Sequence, residues 1–222
     1  MTTVGIIGSG MIGGTVARLS VAAGHRVVLS NSRGPETLAE LVAELGPLAT
    51  AATAEQAAEA GDIVLVSIPV KAFGDVPVKP LAGKAVLDTG NYYPRRDGHI
   101  AELDTGAMTS SGLLQRDLPE SHVVKVFNNI FFKHLQSLAR QPGAADRTAL
   151  PIAGDHEGAK AAVTAFLDSI GYDAVDAGPI AESWRQEPGT PAYGTPYGPF
   201  SDEAGTPASA AAIHADLVGA HR

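Results

Sequence analysis

Cysteine is absent from the sequence, which excludes disulfides, thiolate metal sites and cysteine nucleophiles. Basic residues are in deficit: 16 Lys and Arg stand against 24 Asp and Glu, a formal charge of −8. No long run of Lys or Arg offers a footprint for a nucleic-acid backbone or an anionic membrane. No apolar stretch reaches the roughly 20 residues that span a bilayer, and no basic segment leads into a signal-like apolar run. The expectations are no nucleic-acid partner, no membrane partner and a cytoplasmic setting. Gly-x-Ser-x-Gly does not occur, so hydrolase chemistry has little support. Asp155 and His156 are adjacent but lack further spaced ligands, so no metal site is expected, and Asp155 fits a helix N-cap.

Hydrophobic residues make up 45% and charged residues 18% of the 222-residue chain. That balance predicts a folded protein with one well-filled α/β domain, or such a domain with a small appendage.

The stretch that organises the chain is VGIIGSGMIGGTVAR, Val4 to Arg18. It reads as a short buried strand, a glycine turn and a helix. Gly8 allows the tight turn, Gly10 lets a pyrophosphate approach the backbone, and Gly13 lets the helix pack on the strand. Ser9, Met11 and Ile12 complete the loop. Free N–H groups and the positive end of the helix dipole favour phosphates there. A second strand, Arg26 to Leu29, follows and completes the βαβ context. About 20 residues past the glycines, where NAD-binding proteins carry an acid, this chain has Ser30, Asn31, Ser32 and Arg33. Hydroxyl, amide and guanidinium donors suit a 2′-phosphate, so NADP(H) is expected over NAD.

Farther along, Pro35 to Leu45 reads as one amphipathic helix, with Leu38, Leu41, Val42 and Leu45 at helical spacing. Leu48 to Thr50 reads as a third strand and Thr53 to Ala60 as a helix. Asp62 to Ile68 is a continuous apolar run of the kind buried in parallel sheets. Pro69 then opens a loop at the carboxyl edge. Ala85 to Asp88 leads to Thr89, Gly90 and Asn91, and Val123 to Phe127 leads to Asn128. Ala149 to Ala153, Glu157 to Ile170 and Tyr172 to Asp176 repeat strand, helix, strand. The fold class is therefore α/β, a doubly wound, mostly parallel Rossmann sheet with a short C-terminal aromatic and helical segment. Residues 1–180 form the NADP-binding domain, and residues 181–222 cover a substrate cleft or a dimer interface. That last segment carries Trp184, Tyr193, Tyr197 and Phe200, which could pack over a cleft or a second subunit.

The motifs GIIGSGMIGGTVAR, SNSRGP, VVKVFNNI, IAGDHEGAK and VDAGPI together resemble the F420-dependent NADP oxidoreductase family over roughly the first 180 residues. The cofactor domain of that family is related to those of pyrroline-5-carboxylate reductases and STEAP reductases. The resemblance implies a reductase that moves hydride between NADP(H) and coenzyme F420 or a flavin-like acceptor. It places Gly8, Ser9, Gly10, Met11 and Ile12 on the pyrophosphate, and Asn31, Ser32 and Arg33 on the 2′-phosphate. Ile68 and Pro69 then border the nicotinamide ribose. Asn128 stands where the archaeal F420 enzymes resemble AxHTI with histidine, and WRQEPGTPAYG has no match in their short helical C-terminus.

Hydride transfer asks mainly that two rings be held face to face. The catalytic candidates are Asn128, which could orient an acceptor carbonyl or simply cap backbone, and His134, a proton donor or a helix-surface residue. Asn91 joins the cofactor set. Trp184 and Arg185 are candidates to stack on or clamp the substrate, with core packing and a surface ion pair as the competing roles. Lys125 either stabilises an anionic acceptor or points to solvent. Reduction of a small carbonyl or imine, and non-catalytic sensing of NADP(H), are the alternative functions. A homodimer is expected from the resemblance and the aromatic tail.

Overall fold

Strands without a polar face need cover on both sides, and the fourth strand shows how it is supplied. In the computed structural model, which describes residues 1–222, Ile63–Val66 is buried at every position. Ile63 and Leu65 pack into one apolar cluster and Val64 and Val66 into another, so the alternation of a strand feeds two cores. Fully burying such a side chain contributes roughly 1.5–3 kcal/mol.

The strands are β1 (Thr3–Ile7), β2 (Arg26–Ser30), β3 (Ala49–Ala51), β4 (Ile63–Val66), β5 (Ala85–Asp88), β6 (His122–Lys125), β7 (Ala149–Gly154) and β8 (Asp173–Asp176). They lie in the order β3-β2-β1-β4-β5-β6-β7-β8. Every neighbouring pair is parallel except β6 with β7. The chain reverses its direction of travel across the sheet between β1 and β4, which opens a crevice at their carboxyl ends. The helices are α1 (Met11–Ala22), α2 (Ala39–Leu45), α3 (Ala54–Ala60), α4 (Pro94–Asp97), α5 (Ala101–Asp104), α6 (Ser110–Asp117), α7 (Phe132–Ser137), α8 (Glu157–Ser169) and α9 (Ala210–Val218). The C-terminal segment folds back onto the sheet: Ala192, Tyr197, Ala208, Ile213 and Leu217 all belong to the larger core cluster.

Three local expectations are corrected. Pro35 to Leu45 is a 3-10 turn, Pro35–Leu38, followed by α2. Thr37 closes the turn locally, its hydroxyl donating to the Gly34 carbonyl at 2.8 Å and accepting from Asn31 Nδ2 at 2.8 Å. At α8 the cap is His156, whose Nδ1 accepts from the Ala159 amide at 3.1 Å, while Asp155 accepts from the Ile180 amide at 2.9 Å. Lys125 is fully buried rather than turned to solvent.

Candidate functional site

The turn between β1 and α1 is set by steric demands that only glycine meets at two of its three positions. Gly8 adopts φ +99°, and a Cβ on it would lie 2.3 Å from the Ser67 carbonyl oxygen. A Cβ on Gly13 would lie 2.0 Å from the Gly8 carbonyl oxygen, so α1 packs on the turn itself. Gly10 differs, because a Cβ there would meet nothing within 4 Å. Its lack of a side chain leaves open space in front of α1, where a ligand can reach the backbone. The amides of Met11, Ile12 and Gly13 donate to nothing in the chain, and the first turn of α1 carries no acid. An anion fits this end by geometry and by charge. Ser9 spends its hydroxyl on the Ser30 carbonyl at 2.9 Å, which ties the glycine turn to the end of β2.

At that end Asn31 Oδ1 accepts from the Arg33 amide at 2.9 Å, shaping the turn. Ser32 and Arg33 are exposed, and Arg33 has no ion-pair partner. Asn31 spends its Nδ2 on Thr37, whereas the Arg33 guanidinium is left uncommitted beside the glycine turn.

A cavity of about 480 Å³ continues from the glycine turn along the strand ends. It brings together Gly10, Met11, Ile12, Ile68, Pro69, Asn91 and Asn128, residues drawn from four separate stretches of sequence. Its far wall is aromatic: Tyr93, Phe127, Phe131, Phe132, Tyr193 and Phe200. Phe127 is the one non-glycine residue with positive φ, at 64°. This left-handed turn falls where β6 ends and the chain enters the cavity wall.

Asn128 is held on every side. Its Nδ2 donates to Asn91 Oδ1 at 3.0 Å and to the Gln186 carbonyl at 2.7 Å, and its Oδ1 accepts from Gln186 Nε2 at 2.9 Å. Asn91 Nδ2 returns a bond to the Asn128 carbonyl at 2.7 Å. These bonds assign Asn128 to positioning the strand ends against the C-terminal segment. The adjacent Asn129 donates to the Ala192 carbonyl at 2.7 Å, but its buried Oδ1 has no partner. Among the residues lining the cavity it is the one with a buried side-chain acceptor left without a partner.

Behind the wall, Lys125 Nζ donates to the Gly90 carbonyl at 2.8 Å, Ser110 Oγ at 2.8 Å and Ser111 Oγ at 3.1 Å. Its charge is met by Glu187 at 3.5 Å and Asp88 at 3.7 Å. Burial works to raise the Glu187 pKa, but Lys125 and hydrogen bonds from Ser110 outweigh it and hold the carboxyl below its ordinary range. The network fixes the loop after β5, and hence Asn91 and Tyr93, against residues 186 and 187.

Of the catalytic and substrate candidates, His134, Trp184 and Arg185 lie away from the cavity wall, and Gly8, Ser9, Gly13, Asn31, Ser32 and Arg33 also lie outside its lining. His134 is fully buried, neither on the helix surface nor facing the cleft. Its Nε2 meets the Asp202 carbonyl at 2.5 Å, so that nitrogen carries the hydrogen, and Phe131 lies edge-on to the ring. Trp184 and Arg185 serve the C-terminus. The guanidinium of Arg185 stacks 4.6 Å from the Trp184 ring centre, Arg222 stacks at 5.0 Å, and Arg185 bonds Glu182 and the Leu217 carbonyl. Sequence reasoning passed over Tyr93, Arg96, Asn129, Phe131 and Phe132 as site residues. The repeated aromatics after the Asn91 and Asn129 strand ends were the available signal.

Known proteins resemble this chain in sequence and in fold. Residues 3–92 match the family model described as NADP oxidoreductase, coenzyme F420-dependent. The YjhV protein of Escherichia coli strain K12 is 45% identical over 51 residues, 23% of this chain and 37% of that relative, so the match spans little more than a third of its length. The crystal structure of the hypothetical protein SMa0349 from Sinorhizobium meliloti superposes with a TM-score of 0.76 at 28% identity, covering 87% of this chain and 93% of that one. A candidate F420-dependent NADP-reductase from Arthrobacter sp. FB24 superposes with a TM-score of 0.69 at 24% identity, covering 82% of this chain and 87% of that one, and shows the shared fold. The 90 residues that match this family model, 3–92, hold the glycine turn, the Asn31–Arg33 turn and the first strand ends of the cavity, so the similarity covers the amino-terminal part of the chain.

Proposed function

We propose that the protein is an NADP(H)-dependent oxidoreductase that moves hydride between NADP(H) and coenzyme F420 or another flavin-like acceptor. One observation carries this reading: a single cavity joins the free amides of α1 to a wall of aromatic rings. A planar acceptor suits such a wall, and hydride transfer requires little beyond holding two rings together. Gly8, Ser9, Gly10, Met11, Ile12 and Gly13 hold the diphosphate, and Asn31, Ser32 and Arg33 take the 2′-phosphate. Ile68, Pro69 and Asn91 border the nicotinamide ribose, and Asn129 Oδ1 accepts from a ligand N–H. Bound NADP(H) supplies the hydride. Residues 1–180 serve the nucleotide, and residues 181–222 close the acceptor side through Tyr193 and Phe200.

Mixing the purified protein with NADPH and either F420 or flavin mononucleotide, and following nicotinamide absorbance, tests the proposal. Turnover with one of them is expected, and turnover with neither would remove it. A small carbonyl or imine is the second acceptor class, favoured by the paired hydroxyls of Tyr93 and Tyr193, and a substrate panel separates the two. Tight NADPH binding without any turnover would instead indicate a sensor. A cytoplasmic homodimer belongs to the same reading, and sedimentation of the full chain checks its size. No helix is long and apolar enough to cross a membrane.

A further inference from the structure

Adding hydride to a carbonyl, an imine or a flavin-type ring leaves negative charge on an oxygen or nitrogen, which a proton must meet. Few groups can supply it here. Of the 19 residues lining the cavity, only Tyr93, Arg96 and Tyr193 have titratable side chains. Arg96 is a fixed cation, and its Nη2 is committed to the Asn91 carbonyl at 2.6 Å and to Asp97 at 2.9 Å. Asn128 has its amide engaged by Asn91 and Gln186. His134 lies off the wall, bonded to Asp202. The tyrosines remain, and their hydroxyls meet at 2.8 Å. One stands on the loop after β5 and the other on the C-terminal segment, so the pair joins the two segments at the cavity wall.

Building on the hydride-transfer reading, we infer that Tyr93 donates the proton to the acceptor and that Tyr193 refills Tyr93 through their shared hydrogen bond. The acceptor gains a hydride from the reduced nicotinamide and a proton from Tyr93 Oη. The Tyr93 O–H bond breaks as the new O–H or N–H bond forms. Tyr193 then passes its proton to Tyr93 and takes one from water. The acceptor is reduced by two electrons, the nicotinamide is oxidised, and one proton is consumed. The Arg96 guanidinium lies 4.9 Å from the Tyr93 ring centre, so a transient tyrosinate forms beside a positive charge. Asp97, the acid nearest to Tyr93, accepts from the Tyr93 amide at 2.9 Å and is itself neutralised by Arg96. Burial, and then the bond to Tyr93, hold the Tyr193 hydroxyl above its ordinary range, which keeps it protonated as the reserve.

Tyr93→Phe and Tyr193→Phe, assayed with NADPH against flavin mononucleotide and against 2-methyl-1-pyrroline, test the relay. Tyr93→Phe should lower kcat by about 100-fold, with KM and NADPH affinity unchanged. Tyr193→Phe should lower it less. In the wild type, kcat should fall at alkaline pH as the pair ionises, and that limb should disappear in Tyr93→Phe. A readout independent of turnover is the alkaline absorbance titration: Tyr93→Phe should let Tyr193 ionise at lower pH. Wild-type turnover with kcat preserved in Tyr93→Phe would overturn the donor role and leave hydride transfer standing. A parallel loss of kcat and NADPH affinity would also overturn it, by showing a structural role. Absence of wild-type turnover with both acceptors would remove the hydride-transfer reading, and the donor role with it.

Discussion

The turn between β1 and α1 takes its shape from contacts among Gly8, Gly13, Ser30 and Ser67, most of them one strand away. The wall after β6 is built differently, because Asn128 and Asn129 are fixed by Gln186 and Ala192, which lie 58 and 63 residues farther along the chain. The first region excludes side chains so that a ligand can approach. The second spends buried amides and an ion network to hold distant segments together. The glycine turn therefore depends on local sterics, whereas the wall after β6 depends on long-range polar closure.

The contrast is open to direct attack. Lys125→Ala should produce the largest effect, because it leaves the buried Asp88 and the partly buried Glu187 without their cation. A loss of about 3–5 kcal/mol in urea-induced unfolding is expected, and a loss within error would remove the network from the comparison. Asn128→Ala should destabilise by about 1–3 kcal/mol through the unpaired groups it leaves on Asn91 and Gln186. It should disturb acceptor kinetics more than NADPH affinity, and the reverse ranking would merge the two regions. Gly10→Val sharpens the difference from the other side. The space at Gly10 is open, so stability should stay within about 0.5 kcal/mol. NADPH affinity should fall at least about tenfold, roughly 1.4 kcal/mol, in a fluorescence titration.

Arg33→Ala should weaken NADPH by about 1 kcal/mol or more and leave NADH unchanged in the same titration. Equal effects would contradict the 2′-phosphate role. The smallest effect concerns acid stability. The folded pKa of Glu187 lies below its ordinary 4.5, so its contribution is present above that value and is lost as pH falls through the depressed one. Glu187→Gln should flatten this part of the pH dependence in thermal melts, and an unchanged slope would assign it to other carboxylates.

How far each region could be read from the sequence follows from the same difference. The glycine turn, the strand series and the polar end of β2 were legible, because spacing within some 30 residues encodes them. The Pro35 turn was missed because the Thr37 hydroxyl competes with the helix locally. On the acceptor side the sequence pointed to Asn128 but not to its neighbour Asn129, since only the fold reveals which amide is saturated and which acceptor is left over. Tyr193 and Phe200 read from the sequence as packing over a cleft or a second subunit, and in the fold they line the cavity. Their partner Tyr93 was not legible, because it stands 100 residues away from Tyr193. Trp184 and Arg185 drew notice as residue types, yet the fold uses them to seat the C-terminus.

Isothermal titration calorimetry of the full chain with NADPH and with NADH tests the dinucleotide site most directly. NADPH is expected to bind at one site per chain and more tightly than NADH. Absence of binding heat from both nucleotides, at concentrations that saturate known dinucleotide-binding proteins, would contradict the site at the amino end of α1 and the function built on it.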